Sequence, residues 1–486
     1  MLPINRCFGG AAQSERSIRA ALAGRYTGAG VQGRTAFCFR GNAMRRQIDR
    51  REFIAAAAAA GAGAALSGTE GVSGESEKPA ILGGKPVRSG GYRSWPVPTA
   101  ADERSVLDAL RSGRWYRGRS VEEFEAAFAR INGAKHCVAV SSGTAALCAS
   151  LGALGVGPGD EVIVPPYTFL ATVSAVLMHY ALPVFVDVDR RTFLMDPDKL
   201  EAAVTERTAA IIPVHIGGAP CDMKRILSVA QERNIPLIED ACQAHLAAVE
   251  SRPVGTWGAA GCFSFQVSKN LPSGEGGAIL TDDPQMADAC YAFHNCGRKR
   301  PGGRGEYRLG RNSNFRMTEF QGALLLSQLD GIEARAQTRS DNAAYLDRLL
   351  REIPGIVPAQ PCNGATRNAY HIYMFRYQSE AFDGLPRNKF VRALRAEGIP
   401  CSTGYEPLNK ALFLRDALQS RHYVRIYGRE TIDSWAERNR CPENDQLCSE
   451  AVWLMQNLLL GPRSDMDEIA AAVRKIRAHA AEVAKA

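Results

Sequence analysis

Lys269 lies in a polar segment between two apolar runs, residues 262–265 and 276–280, that have the composition of short strands. A turn between strands can present an amine to a ligand, and an amine withdrawn from water is a nucleophile toward carbonyl compounds. A lysine considered alone is more often a solvated turn residue. A reactive role for Lys269 therefore depends on which other side chains lie beside it.

Two strand-to-helix junctions carry further polar groups. Ser142, Gly143 and Thr144 follow the apolar run "HCVAV", and at a helix start their amide and hydroxyl groups would bind an anion. An ordinary helix cap followed by glycine would have the same sequence. Asp240 closes the apolar run "IPLIED", and Gln243 follows three residues later. A carboxylate in that position is either a helix cap or a ligand-binding group.

Together these groups match the requirements of pyridoxal 5′-phosphate (PLP). The Lys269 amine would condense with its aldehyde, Asp240 would keep its ring nitrogen protonated, and the helix start would hold its phosphate. Ser264 lies five residues before Lys269 on the strand that leads to it. No Cys-x-x-Cys pair or Cys/His cluster has metal-ligand spacing, so we expect no metal site.

Strand and helix patterns alternate through the part of the chain that carries these groups. The runs "EVIVP", "PVFVDV", "AAIIPVH" and "IPLIED" are almost continuously apolar, and helical patterns such as "MKRILSVAQERN" separate them. This alternation predicts an α/β fold with a mostly parallel sheet covered on both faces, whose ligand site lies beyond the carboxyl ends of the strands. We assign residues 81–330 to this large domain and residues 331–486 to a smaller C-terminal α+β domain.

Residues 1–80 differ in composition and are interpreted as a leader followed by a flexible tether. The first 52 residues contain ten arginines, no lysine and three acidic residues, which gives +7 of the formal net charge of +8. The remaining chain is thus nearly neutral, and a nucleic-acid-binding surface is not expected.

The segment "DRREFIAAAAAAGAGAAL" resembles a twin-arginine export signal, because Arg50 and Arg51 precede two apolar residues and a weakly hydrophobic stretch. That stretch is shorter than the roughly 20 residues of a membrane-spanning helix, so no stable membrane span is expected. We predict export to the periplasm. If the stretch is instead the first helix of the fold, the protein stays in the cytoplasm. Met44 is an alternative start to Met1.

Six segments resemble, in order and spacing, the DegT/StrS-type sugar aminotransferases: "SSGTAAL", "PPYTF", "EDACQAH", "SFQVSKN", "GEGGAI" and "NFRMTEFQGALLLSQL". The resemblance extends from about residue 94 to the C-terminus. It implies the aspartate aminotransferase-like fold (PLP fold type I), PLP as cofactor, and a homodimer with shared active sites. A lysine at position 269 is unlike the dehydratase branch, in which histidine replaces it.

The resemblance also implies individual roles. Lys269 would form the internal aldimine, Asp240 would pair with the pyridine nitrogen, and Gln243 would approach the ring hydroxyl. Phe169 would stack on the ring, with Tyr167 as the second choice. The other implied cofactor-binding residues are Ser142, Gly143, Thr144, Ser264 and, across a dimer interface, Asn314.

Within the family, "HIGGAPCDM" and "WLMQNLLLG" are most similar to members that aminate keto-cyclitols such as scyllo-inosose. We therefore predict transfer of an amino group from glutamine or glutamate to a keto-sugar or keto-cyclitol. Cys296 stands where histidine is common, which leaves the substrate contacts open. Two alternatives remain: a non-catalytic exported protein that binds a sugar in the PLP pocket, and an aminotransferase for nucleotide-linked keto-sugars.

Overall fold

The computed structural model describes residues 78–303 and 311–486. The export-signal segment lies outside the described residues, so export stays a prediction. None of the helices in the described ranges combines the length and apolar character needed to cross a lipid bilayer.

The helices are numbered in chain order. In the N-terminal two thirds they are α1 Ala100–Arg111, α2 Arg119–Asn132, α3 Gly143–Ala153, α4 Ala171–Met178, α5 Met223–Glu232, α6 Pro284–His294 and α7 Glu319–Leu329. The remainder are α8 Ile332–Arg351, α9 Arg387–Ala396, α10 Leu412–Leu418, α11 Arg421–Tyr427, α12 Arg429–Asp433, α13 Trp435–Arg438, α14 Pro442–Glu450, α15 Arg463–Ala478 and α16 Ala480–Lys485. Short 3-10 turns occupy Ala80–Leu82, Pro197–Lys199, Glu201–Ala203, Ile216–Gly218, Ser379–Phe382, Leu408–Lys410 and Gln456–Leu460.

The strands are short and are numbered in the same way. Before α6 they are β1 His136–Val140, β2 Glu161–Val164, β3 Leu182–Phe185, β4 Val188–Asp189, β5 Leu194–Met195, β6 Thr208–Ile211, β7 Ile238–Asp240, β8 Ala248–Val249, β9 Arg252–Pro253, β10 Ala260–Ser264 and β11 Gly277–Thr281. After α8 they are β12 Ile356–Pro358, β13 Ala365–Arg367, β14 Ile372–Tyr377 and β15 Ala451–Met455.

Seven of these strands form one layer in the order β1-β11-β10-β7-β6-β2-β3. Strands β7 and β10 pair in parallel, as do β6, β2 and β3. Parallel bridges from Ile211 to Leu237 and from Val214 to Asp240 place β6 beside β7. Strand β11 alone runs opposite to the other six strands of this layer, because the connection from β10 returns directly without a crossover helix. The predicted mostly parallel α/β sheet is confirmed.

Alternate residues of the buried strands face two separate apolar clusters. Along β1, Ala139 belongs to the cluster that contains Phe124 of α2, whereas Val138 and Val140 belong to the cluster that contains Leu147 of α3. The layer is therefore covered by helices on both faces, as its nearly continuous apolar strands predict.

A second, antiparallel sheet, β12-β14-β15, lies in the C-terminal part and packs with α8, α9 and α15 around Phe375. The segment between α9 and β15 behaves differently, because Tyr423 and Trp435 pack in the cluster of the large sheet. Strand β13 likewise pairs with β8. The two predicted domains thus share part of their core, and their boundary at residue 330 stays a prediction.

Two histidines are buried in the fold with no hydrogen-bond partner at either ring nitrogen among the described residues, His245 and His294. Burial lowers the pKa of each imidazole to about 3, and neighbouring cations add to the effect. Both rings are therefore neutral in the folded protein.

The neutral histidines predict a loss of stability in mild acid. Below pH 6.5 the unfolded chain binds a proton at each imidazole and the folded chain does not, so the free energy of unfolding falls as the pH decreases. Each histidine contributes about 1.4 kcal/mol per pH unit below its unfolded pKa. Urea unfolding at several pH values between 7.5 and 5 gives the slope of the free energy of unfolding against pH. This slope should be smaller in His294→Phe than in the wild type, whereas His422→Phe, at an exposed position, should keep the wild-type slope. Equal slopes in all three proteins would contradict this account.

Candidate active site

A cavity of about 610 Å³ opens beyond the carboxyl ends of β1, β7 and β10. The cavity receives side chains from segments that are distant in sequence, as expected where parallel strands end together. Eight of the predicted site residues line it: Ser142, Gly143, Thr144, Phe169, Asp240, Gln243, Ser264 and Lys269.

Lys269 is fixed by the backbone of the β10–β11 connection. Its amide donates to Gln266 O at 2.8 Å, and its carbonyl accepts from Trp95 Nε1 at 3.1 Å. The side chain enters the cavity, and burial lowers the pKa of the amine while the Asp240 carboxylate opposes that shift. A larger fraction of Lys269 is therefore uncharged, and nucleophilic, than of a lysine in water.

The Asp240 carboxylate is held in one orientation by two donors. Thr172 Oγ1 donates to Asp240 Oδ2 at 2.8 Å, and the amide of Cys242 donates to Oδ1 at 3.2 Å. Thr172 in turn lies 2.8 Å from Thr168 Oγ1. Because Asp240 is 6% exposed and forms no salt bridge among the described residues, its charge is directed at the cavity.

The amino end of α3 forms one wall of the cavity at very close range. Ser142 caps the helix by accepting from the amide of Ala145 at 3.1 Å. At Gly143 any Cβ atom would lie 2.7 Å from Cys242 Sγ and 2.8 Å from Ser264 Cβ. Only glycine fits here, and it brings the first amides of α3 next to the Ser264 side chain, where an anion can bind.

Gln243 joins two parts of the chain at the opposite side. Its Oε1 accepts from the amide of Gly217 at 2.8 Å, and its Nε2 donates to the Tyr405 hydroxyl at 3.0 Å. The ring of Tyr405 packs edge-on against Trp453, with centroids 4.5 Å apart. The side-chain amide of Gln243 is therefore fixed before any ligand binds.

Phe169 and Tyr167 are both aromatic, but they occupy different positions. Phe169 is 53% exposed and lines the cavity. Tyr167 is 1% exposed, and its hydroxyl accepts from Trp453 Nε1 at 3.0 Å. Phe169 is thus the side chain available to contact a bound ring, whereas Tyr167 supports the wall behind it.

Fourteen of the 22 lining residues were not predicted from the sequence, among them Thr172, His371, Tyr405 and Trp453. Thr172 had a weak signal, because it lies one helical turn after Thr168 at the start of α4. No local motif marked His371 or Tyr405. Trp453 opens the run "WLMQNLLLG", which indicated the branch of the family but not a role in the site.

Asn314 does not line the cavity. It is exposed and forms an antiparallel bridge with Asn295. Cys296, the next residue after Asn295, is also exposed. The predicted contact of Asn314 with a second subunit's site stays a prediction.

Comparison with known proteins agrees with this geometry. The family model described as the DegT/DnrJ/EryC1/StrS aminotransferase family matches residues 98–474. An L-glutamine:2-deoxy-scyllo-inosose aminotransferase of Streptomyces lividus is 39% identical over 421 residues, which cover 83% of this chain and 98% of the relative. An L-glutamine:scyllo-inosose aminotransferase of Streptomyces griseus is 38% identical over 422 residues, which cover 84% and 99% of the two chains.

Solved structures give the same result. The crystal structure of 3-amino-5-hydroxybenzoic acid synthase superimposes with a TM-score of 0.71 at 33% identity and covers 82% of this chain and all of that one. An aminotransferase from Psychrobacter cryohalolentis superimposes with a TM-score of 0.69 at 29% identity, covering 81% and 99%. The predicted aspartate aminotransferase-like fold is confirmed, and the chain belongs to the DegT/DnrJ/EryC1/StrS aminotransferase family.

Proposed function

We propose that this aminotransferase uses PLP to move an amino group from glutamine to a keto-cyclitol of the scyllo-inosose type. The observation that carries the proposal is the cavity in which the Lys269 amine, the Asp240 carboxylate and the amino end of α3 come together. The donor and acceptor are those in the names of the two Streptomyces relatives. The non-catalytic alternative has no comparable support.

The residues of the cavity fit PLP. Because Gly143 has no side chain, the first amides of α3 lie beside Ser264, and these amides and the Ser264 hydroxyl line the cavity as donors for an anion. Asp240 offers a fixed negative charge, and Lys269 offers a partly uncharged amine. A related structure, a sugar aminotransferase from Streptococcus pneumoniae with a TM-score of 0.69 and 26% identity, is described as being in the PMP form.

When bound, PLP would supply an electron sink for a substrate carbanion. Asp240 would stabilise positive charge at a ring nitrogen, and Thr172 would keep that carboxylate in place. Phe169 would cover one face of the ring. Lys269 Nζ, which burial keeps partly uncharged, would accept the proton from the α-carbon of the donor and return a proton during the second half of the reaction.

The charge of the cavity favours an uncharged acceptor. Lys269 is the only lysine or arginine among the described lining residues, and Asp240 and Glu275 are carboxylates. A nucleotide-linked sugar carries a diphosphate, which proteins usually bind with arginine or lysine side chains. A neutral cyclitol requires only hydrogen-bonding groups, which Gln266 and Ser268 provide on the same wall.

We also propose a homodimer with shared sites. Large apolar side chains remain exposed on and after α1, among them Trp115 at 53% and Tyr116 at 74%. Exposed aromatic residues of this kind are typical of subunit interfaces. Asn314 is exposed as well, as a contact to a second subunit requires.

Amino transfer is the direct test. Full-length protein supplied with PLP, glutamine and scyllo-inosose should form the corresponding amino-cyclitol, measured by mass spectrometry. Lys269→Ala is the matched control and should fold normally but yield no product, because the only amine in the described cavity is lost.

Two other outcomes would contradict parts of the proposal. Faster amination of a nucleotide-linked keto-sugar would overturn the acceptor class. Bound PLP that no amino donor converts would favour the non-catalytic alternative.

Asp240→Asn should retain PLP but lower kcat by about a hundredfold or more, since the neutral amide no longer stabilises positive charge at the ring nitrogen. Thr172→Val keeps the carboxylate and removes one hydrogen bond to it, so its kcat should fall by about tenfold or less. Steady-state rates at measured PLP occupancy would separate the two variants. A normal rate in Asp240→Asn would exclude Asp240 from this role.

Shared sites predict complementation between inactive subunits. In a heterodimer of co-expressed Lys269→Ala and Asn314→Ala chains, one of the two sites should contain both Lys269 and Asn314 and be intact. Because about half of the dimers in a random mixture are heterodimers, up to about a quarter of all sites should be intact. Activity in isolated heterodimers above that of either variant alone would agree with shared sites. Heterodimers no more active than the Asn314→Ala protein would indicate that each site is built within one chain.

A further inference from the structure

His371 makes the only side-chain hydrogen-bonding contact to the Lys269 amine that the described residues provide. Its Nε2 lies 3.4 Å from Lys269 Nζ, and the imidazole is 3% exposed. Its Nδ1 has no hydrogen-bond partner within the described ranges. The imidazole and the amine both line the cavity, and the low exposure of His371 shields their contact from water.

The backbone brings the two residues together independently of their side chains. Asn270, which follows Lys269, donates through Nδ2 to the carbonyl of Ala369 at 2.7 Å. The amide of Ala369 donates to Gly218 O at 3.0 Å, so that segment is anchored to the large domain. The residue after Lys269 is thus tied to the residue two positions before His371.

The surroundings of His371 decide which partner donates. Burial lowers the pKa of the imidazole well below 6.5, and the positive charges of Lys269 and Arg339 act in the same direction, as would a charge on His245. Arg339 is fully buried and bonds to Gln456 Oε1 without forming a salt bridge among the described residues. His371 is therefore neutral. A protonated Lys269 amine has no lone pair, so in that state it is the donor and Nε2 accepts, in the tautomer that carries its hydrogen on Nδ1.

We propose that His371 is a positioning residue for Lys269: its Nε2 accepts a hydrogen bond from the amine and fixes the direction of Nζ in the cavity. This inference rests on the proposed reaction of Lys269 with PLP. A neutral imidazole among cations is a poor proton acceptor, so His371 orients the amine and Lys269 itself carries the proton. The lysine side chain has four rotatable bonds, and restricting them holds the nucleophile in reach of the aldehyde.

The rate at which Lys269 reacts with PLP tests this role without turnover. Apo-protein is mixed with PLP and quenched with borohydride at successive times, and mass spectrometry measures the fraction of Lys269 that carries a pyridoxyl group. His371→Leu removes the acceptor and should slow labelling by roughly ten- to a hundredfold. His371→Gln retains an acceptor oxygen and should recover most of the wild-type rate.

His245→Leu is the matched control. His245 is equally buried and close to Lys269, but its contacts are with the rings of Phe263 and Phe265. Lys269 in His245→Leu should be labelled at the wild-type rate. If His371→Leu does not melt cooperatively, His371→Met replaces it, because methionine has similar length and only a weak acceptor.

The outcomes distinguish this inference from the proposed function. Labelling of Lys269 at the wild-type rate in folded His371→Leu would overturn the positioning role alone. Equally slow labelling in His371→Leu and His371→Gln would also overturn it, because the acceptor would then not matter. No labelling of Lys269 in the wild type would overturn the proposed function as well.

Discussion

Withdrawing an amine from water disfavours its charged form, and the site depends on this effect at Lys269. A buried lysine tends to turn back to solvent through its flexible side chain. The backbone bonds to Gln266 and Trp95 hold the residue in place at the main chain, and the contact with His371 does so at the amine. A nucleophilic amine is thus obtained from position and burial, without a base that removes its proton.

The sheet explains why the remaining groups meet this amine. Parallel strands β7 and β10 end at the same edge, so Asp240 and Ser264 line the same cavity although they lie 24 positions apart in the sequence. The antiparallel strand β11 allows the connection with Lys269 to stay at that edge instead of crossing to the other end. The glycine at position 143 then lets α3 approach Ser264 at a distance that any side chain would prevent.

The parts predictable from sequence are those whose signal is local. Asp240 closes an apolar run and Lys269 lies in the short polar segment after another, and the rule that ligands bind beyond the ends of parallel strands was sufficient to group them. Tyr405 and His371 had no such signal, because their positions depend on how the C-terminal sheet packs against the large one. The packing of Tyr423 and Trp435 against the large sheet was missed for the same reason: their apolar periodicity shows that they are buried, but not in which cluster.

The distribution of cations separates two tasks in the same region. Arg339 lies behind the wall of the cavity, where its charge lowers the pKa of His371 without contacting a ligand. Within the wall, the phosphate under the proposed function would meet amides and hydroxyls of α3 and Ser264, and not a lysine or arginine of the described residues. Binding by fixed neutral dipoles is less sensitive to salt than binding by charged side chains. Lys269 is then the only cationic side chain that the described residues place in the cavity, which is the condition under which a neutral polyol can compete with anionic sugars for the site.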